Sequence, residues 1–281
     1  MKIAIIGATG FVGSNIIKFL PKEHSIIATY KNKDKINNKY LKKKNVKWKF
    51  LDIYNKKNFF KYLEYPDIVI HLAWSNLPNY HLKFHINNEL PKQKKFLLNL
   101  IRDGLKNIFI AGTCFEYGNR SGKLKENFIG RPNNNYALAK TLLKKYLFSI
   151  KKKYNFNLIW GRIFYIYGKH NSRSTLYNQI LKSSHKNSIK LKIYRNLIRD
   201  YLSIDQVSKI IISLSLKMKY IGVINICSGK GISLRNLVKK ISVLENIKPN
   251  IKYINKKTSN FESNKFWGCN KKLKIYLKNC E

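Results

Sequence analysis

Met1–Asn15 reads MKIAIIGATGFVGSN, and this stretch decides the fold. Lys2–Ile6 is a short apolar run rich in isoleucine, the composition of a parallel strand buried on both faces. Gly7, Gly10 and Gly13 follow at three-residue spacing, and an apolar helical pattern (Phe11, Val12, Ile16, Ile17, Leu20) starts among them. Such a turn needs glycines for mechanical reasons. One makes the bend from strand to helix, one lets a pyrophosphate approach the backbone, and one lets helix and strand pack closely. The anion would rest on the N–H groups at the positive end of the helix. A glycine-containing turn with no ligand is the plain alternative. The combination of strand, glycines and helix instead predicts a dinucleotide site contacted by Gly7, Thr9, Gly10, Phe11, Val12 and Gly13.

Outward from this turn, strand and helix patterns alternate. Strands are expected at Ser25–Thr29, Val46–Leu51, Asp67–Leu72, Asn107–Ala111 and Phe156–Arg162, with helices at about Asn88–Asp103 and Asn134–Lys153. This alternation predicts an α/β fold, a Rossmann-type doubly wound parallel sheet with helices on both faces. Beyond Gly168 the pattern loosens. It gives a helix near Leu176–Ser183, a strand near Ile189–Ile193, a helix at Asp205–Leu216, a strand at Gly222–Ile226 and a helix at Ser233–Glu245. The expected organisation is a dinucleotide-binding domain over 1–168 and a small substrate-binding lobe mainly over 169–281, with the elements at about 205–226 returning to the first domain.

Composition bounds the rest. The 281 residues are 44% hydrophobic, enough for a large core, and no apolar run approaches the roughly 18 residues of a membrane span. Met1-Lys2 leads straight into the first strand, so no signal peptide and a cytoplasmic location are expected. Cys114, Cys227, Cys269 and Cys280 lack disulfide or metal spacing and read as free thiols, with no metal site. The 56 Lys+Arg against 14 Asp+Glu give a net charge of +42, which suggests a nucleic-acid or anionic partner. The lysines are, however, spread along the chain among abundant Asn, Ile, Tyr and Phe. All five residue types have A/T-rich codons, so base composition accounts for the charge, and nucleic acid is not the expected partner.

After the second strand come Tyr30, Lys31 and Lys33, with Asp34 late in the loop. An acidic residue there would bind the adenosine ribose hydroxyls and repel a 2′-phosphate. Lys31 in that place favours NADP(H) over NAD(H), and Asp52, just after the third strand, is placed to meet the adenine amino group. Tyr136 and Lys140, four apart on a helix, share a face. An ammonium beside a phenol is expected to lower its pKa from about 10 and make it a proton donor or acceptor near neutrality. The spacing recurs elsewhere in this Lys-rich chain. Tyr136 is singled out because its helix follows the strand ending Ala111-Gly112-Thr113, the edge at which reacting groups gather. Thr113 could there share a substrate oxygen with Tyr136.

These residues resemble the extended short-chain dehydrogenase/reductases, the NAD-dependent epimerase/dehydratase family, over nearly the whole chain. GATGFVG resembles the cofactor loop, Asp52-Ile53 the adenine contact, and His71-Leu72-Ala73-Trp74 the family's H-L-A-A. Thr113-Cys114-Phe115-Glu116-Tyr117-Gly118 resembles S/T-x-x-x-Y-G, and Tyr136-Ala137-Leu138-Ala139-Lys140 resembles Y-x-x-x-K. Arg162–Gly168 resembles R-x-x-N-x-Y-G, Arg199–Asp205 R-D-x-x-x-V-x-D, and Asn225–Gly229 N-I-G-S-G. The resemblance implies Thr113, Tyr136 and Lys140 as the catalytic set. It implies Ile53, Leu72, Ala73 and Trp74 as further cofactor contacts. Arg199 would contact a nucleotide-sugar diphosphate, with Trp74, Thr113, Cys114, Phe115, Tyr165 and Trp267 around the substrate. It also implies a homodimer packed through the helices after the fourth and fifth strands.

The departures narrow the reaction. Dehydratases of this group carry Asp-Glu after the catalytic Thr; here Cys114 and Phe115 stand there, and Glu116, one further on, is expected to face the other way. Tyr165 replaces the family's Asn after the sixth strand. The Asn expected in the helix after the fourth strand falls among Asn87, Asn88 and Glu89. Leu72–Tyr80, Thr113–Gly118 and Phe266–Gly268 resemble most the reductases of dTDP-4-keto-6-deoxyhexoses, of 6-deoxy-talose 4-dehydrogenase or dTDP-fucose synthase type. The expected activity is therefore NADP(H)-dependent reduction of a C4 keto group in deoxysugar biosynthesis, as for O-antigen. The alternatives are a nucleotide-sugar 4-epimerase and, in another class, a non-catalytic cofactor-binding scaffold with RNA affinity.

Overall fold

A computed structural model describes residues 1–36, 43–54, 58–169, 175–185, 190–194, 196–218, 222–255 and 263–278. Ile189 and Cys280, both read from the sequence above, lie outside the described residues. Seven strands form one sheet: β1 (Lys2–Ile6), β2 (Ser25–Tyr30), β3 (Val46–Phe50), β4 (Ile68–His71), β5 (Asn107–Thr113), β6 (Asn157–Ile163) and β7 (Gly222–Ile226). Their order is 7-6-5-4-1-2-3 and every neighbouring pair is parallel. The order reverses between β1 and β4, and a crevice for a ligand opens at that point, outside the strand ends. The predicted doubly wound fold is what the chain adopts.

The strands are apolar because both faces are covered. Ile3, Ile5, Phe109, Ile159 and Ile224 point to one side, where α1 (Phe11–Phe19) and α6 (Ile204–Leu216) pack. Ala4, Ile6, Val69, Ile108, Ile110 and Trp160 point to the other. There they meet α3 (Leu90–Arg102) and α4 (Asn135–Ile150), with the short α2 (Phe59–Tyr62) beside them. Side chains alternate across a strand, which is how one run of isoleucines serves two cores.

The later part of the chain divides its loyalties. Helix α6 lies against α1, β7 pairs with β6, and α8 (Lys271–Lys278) rests on β7. A separate core gathers Tyr167, Tyr177, Ile180, Ile193, Leu237 and Ile241 between α5 (Leu176–Lys182) and α7 (Leu234–Glu245). Four short pairings stand outside the main sheet in this part of the molecule. Tyr165–Tyr167 pairs with Tyr201–Ser203, Gly122–Leu124 with Phe266–Gly268, Leu191–Tyr194 with Ile251–Ile254, and Ile198–Arg199 with Ile232–Ser233. Asp200 joins them. Its buried carboxylate accepts from the backbone N–H groups of Ser228 (2.7 Å), Gly229 (2.9 Å) and Gly268 (3.2 Å). Among the described residues no helix is long and apolar enough to cross a membrane.

Candidate active site

The glycine turn is built for close approach. Gly7 has φ +88°, and a Cβ there would lie 3.0 Å from Ala73 N, on the loop leaving β4. A Cβ on Gly13 would lie 2.7 Å from Ala8 Cα and closer still to the Gly7 carbonyl. Thr29 fixes the turn from β2: its Oγ1 accepts from Gly7 N (3.1 Å) and donates to Ile5 O (3.0 Å), and its carbonyl accepts from Ala8 N (3.2 Å). Gly10 is the N-cap of α1 and receives no side-chain cap, so the first N–H groups of the helix face the crevice. A cradle that only glycine leaves open, at the positive end of a helix, fits a dinucleotide pyrophosphate.

At the end of β2, Lys31 lies 3.6 Å from the Asp52 carboxylate and 4.3 Å from the centre of the Tyr54 ring. Lys31 and Asp52, both expected around an adenosine, are thus brought together beside Tyr54. Ile53 is buried behind them, and Leu72 N donates to Ile6 O, continuing the β1–β4 ladder into the loop.

The reacting end is made by β5 and α4. Asn134 caps α4, its side chain accepting from Ala137 N, and this starts the helix just before Tyr136. The Tyr136 N–H donates to Tyr80 O (2.9 Å), so the loop after β4 also holds the helix start. Thr113 closes β5 and its side chain hydrogen-bonds Tyr136. Lys140 is 2% exposed; its Nζ donates to Ala111 O (2.8 Å) and lies 4.1 Å from the centre of the Trp74 ring. The Tyr136 ring is enclosed by Tyr80, His85 and Trp74, at centroid distances of 5.5, 5.7 and 5.8 Å. The structure thus brings Thr113, Tyr136, Lys140 and Trp74 together.

The expectation that Lys140 lowers the Tyr136 pKa needs correction. Burial pushes the phenol above its usual range, and Tyr80, Glu116 and Cys114 push the same way, with the Thr113 hydrogen bond opposing them. Burial also brings the Lys140 ammonium down to about 7, while Glu116 and Glu89 pull it up. Tyr136 is therefore firmly protonated at neutral pH, the state of a proton donor.

Glu116, expected to face away, is fully buried behind Thr113. One oxygen accepts from Thr113 N (3.1 Å) and Trp160 Nε1 (2.7 Å), the other from Lys144 Nζ (2.6 Å) and Arg162 Nε (3.1 Å). Lys144 continues the Tyr136–Lys140 stripe by one more turn, so Glu116 clamps α4 to the end of β5. Sequence reading did not find this clamp, although Tyr136, Lys140 and Lys144 stand at i, i+4 and i+8. Cys114 is buried in an apolar cluster with Tyr117, Phe164, Cys227 and Phe266, and Phe115 packs edge-on between Tyr80 and Tyr165.

A cavity of about 310 Å³ runs from Phe11, at the glycine turn, into the lobe, lined among others by Tyr165, Tyr177, Arg199 and Tyr201. Arg199 is buried. Its Nε donates to Tyr165 Oη (3.3 Å), its Nη1 donates to Ile198 O (2.9 Å), and its guanidinium lies 4.3 Å from the Phe266 ring centre. Trp267, the neighbour across the strand, turns the other way and packs on Gly231 beneath Lys265. Phe266, not Trp267, thus meets the arginine.

A glycine cradle for a dinucleotide, with a protonated Tyr, a Thr and a buried Lys at its far end, defines a nicotinamide-dependent enzyme of the extended short-chain dehydrogenase/reductase type. Residues 3–227 match the model of the NAD dependent epimerase/dehydratase family, and the chain belongs to it. Over 271 residues it is 28% identical to dTDP-6-deoxy-L-talose 4-dehydrogenase (NAD(+)) of Aggregatibacter actinomycetemcomitans, covering 95% of this chain and 99% of that one. It is also 28% identical over 233 residues to ADP-L-glycero-D-manno-heptose-6-epimerase of Brachyspira hyodysenteriae, covering 73% and 69%. Its fold is similar to UDP-glucuronic acid 4-epimerase from Bacillus cereus, solved with UDP-glucuronic acid and NAD. The TM-score is 0.83 at 19% identity, covering 99% and 93%.

Proposed function

We propose that the protein reduces the C4 keto group of a nucleotide-activated 4-keto-6-deoxyhexose, in the biosynthesis of a deoxysugar. The observation that carries this reading is a buried phenol kept protonated, hydrogen-bonded to Thr113, with the buried Lys140 one helical turn further on. The cofactor, when bound, supplies the hydride that a carbonyl carbon receives. The chain supplies the rest. Tyr136 Oη gives a proton to the oxygen on which negative charge develops, and the Thr113 hydroxyl donates a hydrogen bond to the same oxygen. Lys140 holds a positive charge beneath them and favours the phenolate left behind. Gly7, Gly10 and Gly13 with the start of α1 would hold the pyrophosphate, and Lys31 a 2′-phosphate, which supports NADP(H) over NAD(H). Arg199, reached through the Tyr165-lined cavity, would hold the sugar-nucleotide diphosphate.

Elimination of water would need an acid and a base next to Thr113. Cys114 lies in an apolar cluster, Phe115 is aromatic, and Glu116 is fully engaged by four donors, so these positions do not support dehydration. Similarity to the dTDP-6-deoxy-L-talose 4-dehydrogenase along nearly the full length of both chains supports a keto-sugar as substrate. The heptose-6-epimerase among the relatives supports a second reading, epimerisation of a nucleotide sugar on the same residues, here at C4. We further infer a homodimer through α3 and α4, whose outward sides carry partly exposed Leu98, Leu138, Leu142 and Tyr146.

Incubation with dTDP-4-keto-6-deoxyglucose and each reduced cofactor, with identification of the sugar product, tests the assignment. A reductase consumes reduced cofactor stoichiometrically; an epimerase shows no net consumption. Tyr136→Phe is expected to bind the cofactor as the wild type does and to lose reduction by at least about a hundredfold. Wild-type turnover in that variant would overturn the role given to Tyr136.

A further inference from the structure

Lys140 and Glu89 are two buried charges that no opposite charge touches. Among the described residues Lys140 has no carboxylate oxygen within 4.0 Å, and Glu89 has no Lys, Arg or His nitrogen within that distance. Glu89 is 1% exposed and held by neutral donors only: Tyr54 Oη (2.6 Å), Gln93 Nε2 (2.8 Å) and Ser75 N (3.3 Å). Burial pushes its carboxyl up, but these donors outweigh it and leave the pKa below the usual value, so the group is ionised. An isolated buried charge is costly.

The backbone shows that its inward position is specific. His85–Glu89 is a turn of π-helix leading into α3, a form that concentrates at functional sites. It leaves Asn87 and Asn88 exposed and turns Glu89 inward, so of the three residues among which the resemblance places an Asn, the one inside is a carboxylate. From Glu89 the hydrogen bonds run to His71, which pairs with Ile110 on β5, and the next carbonyl on that strand, Ala111 O, accepts from Lys140 Nζ. Gln93 Nε2 donates to Glu89 and to Ala73 O (3.2 Å), which leaves Gln93 Oε1 to accept from His71 Nε2 (2.5 Å). His71 feels both charges. Burial and then Lys140 bring its pKa down to about 4, and Glu89 opposes them, so a neutral imidazole stands beside the two.

Other groups around Lys140 are accounted for. Glu116 bears on it from the β5 side, and more strongly than Glu89 does, but that carboxylate already has both Lys144 and Arg162 in contact. From α4, Tyr136 is neutral. From the π turn, His85 uses both ring nitrogens, Nδ1 accepting from Trp74 Nε1 (3.2 Å) and Nε2 donating to Asn79 O (2.9 Å). Tyr80 lies against Tyr136. Around Glu89 the remaining charges gather at Tyr54, with Lys31 and Lys92 against its ring, 4.3 and 3.8 Å from the centre, and Asp52 paired with Lys31. Glu89 is left as the one buried negative charge in this neighbourhood that no cation in contact already balances, among the described residues.

We propose that Glu89 is the counter-charge of Lys140, a positioning residue that touches neither cofactor nor substrate and keeps the Lys140 ammonium charged while Tyr136 gives up its proton. This rests on the roles given above to Tyr136 and Lys140, and its test separates the two. Glu89→Gln keeps the size and most hydrogen bonds of the side chain and removes its charge. The Lys140 ammonium can be followed by NMR in lysine-labelled protein, with Lys140→Arg to identify the signal. Its titration midpoint is expected to fall by about one pH unit, a tenfold loss in proton affinity, in Glu89→Gln and to stay near the wild-type value in Glu89→Asp. With dTDP-4-keto-6-deoxyglucose, the alkaline limb of the kcat/KM profile moves with the midpoint. The rate then drops about tenfold at pH 8 and stays within about threefold at pH 6.

An unmoved midpoint in Glu89→Gln, or equal movement in both variants, overturns the proposal. If the wild type does not turn over that sugar, the reduction reading fails while the midpoints still decide this one. Should Glu89→Gln not fold, Lys140→Met reads the same coupling from the other end. Glu89, followed through its side-chain carbon, should then titrate about one unit higher, and no change refutes the pairing.

Discussion

Replacing Glu116 by Gln tests the clamp between β5 and α4. The carboxylate is inaccessible, and its two oxygens satisfy four donors, two of them cations. A Gln can still accept from Thr113 N and Trp160 Nε1, but its amide then faces Lys144 and Arg162, donor against donor. Arg162 is 3% and Lys144 13% exposed at the side chain, so water relieves neither well. Breaking such a pair from one side costs about 3–5 kcal/mol, most of it from the charges left without a partner. At about 2–4 °C per kcal/mol for a chain of this size class, the melting temperature should fall by about 12 °C at pH 7.

The pH dependence gives a second, independent reading. Burial pushes the Glu116 carboxyl up, but Lys144 and Arg162 overcome this and hold it below its ordinary value of 4.5. The unfolded chain therefore binds this proton more readily than the native one. Its stabilising contribution is complete above the unfolded pKa and is lost as pH falls through the lower, native value. The gap between wild type and Glu116→Gln should thus be full at pH 7 and close on the acid side of about 4. Circular dichroism melts across a pH series measure both. In a double-mutant cycle, Lys144→Met should recover part of the loss, with a coupling of about 1–3 kcal/mol. A melting temperature within about 2 °C of wild type at pH 7, or a gap that does not narrow in acid, would refute the reasoning.

Gly13→Ala forces a Cβ against Ala8 and the Gly7 carbonyl, so α1 must move off the turn; overpacking of about 1–3 kcal/mol is expected. Fluorescence titration should show reduced cofactor binding at least about thirtyfold weaker, and wild-type affinity would contradict the cradle. Lys140→Met removes a buried ammonium whose native pKa, about 7, lies below its ordinary 10.5. Between these values the unfolded chain holds the proton and the native one does not, so wild-type stability from this group rises with pH. The variant should therefore melt above the wild type below pH 7, with the difference shrinking toward pH 10, while sugar reduction is lost; a lower melting temperature at pH 6 would count against the burial cost assigned to this ammonium.

The sequence determined the sheet, the glycine turn and the Tyr136–Lys140 face, because each rests on local periodicity. Isoleucine runs make buried strands, three glycines make a turn, and a four-residue spacing puts two side chains on one side of a helix. What lay beyond reach involved partners distant in the chain. Gly122–Leu124 is a strand only because Phe266–Gly268 lies beside it, and three residues carry no periodicity of their own. Strand alternation put Phe266 rather than Trp267 against Arg199, and a π turn put Glu89 rather than Asn87 or Asn88 inside.

The largest change concerned proton affinity. Spacing brings Lys140 near Tyr136 and suggests a lowered phenol pKa. Tertiary structure buries both, and desolvation disfavours the charged form of each, raising one and lowering the other. Which residues stand together was largely local information; what those residues do with a proton depends on how much water the rest of the fold removes.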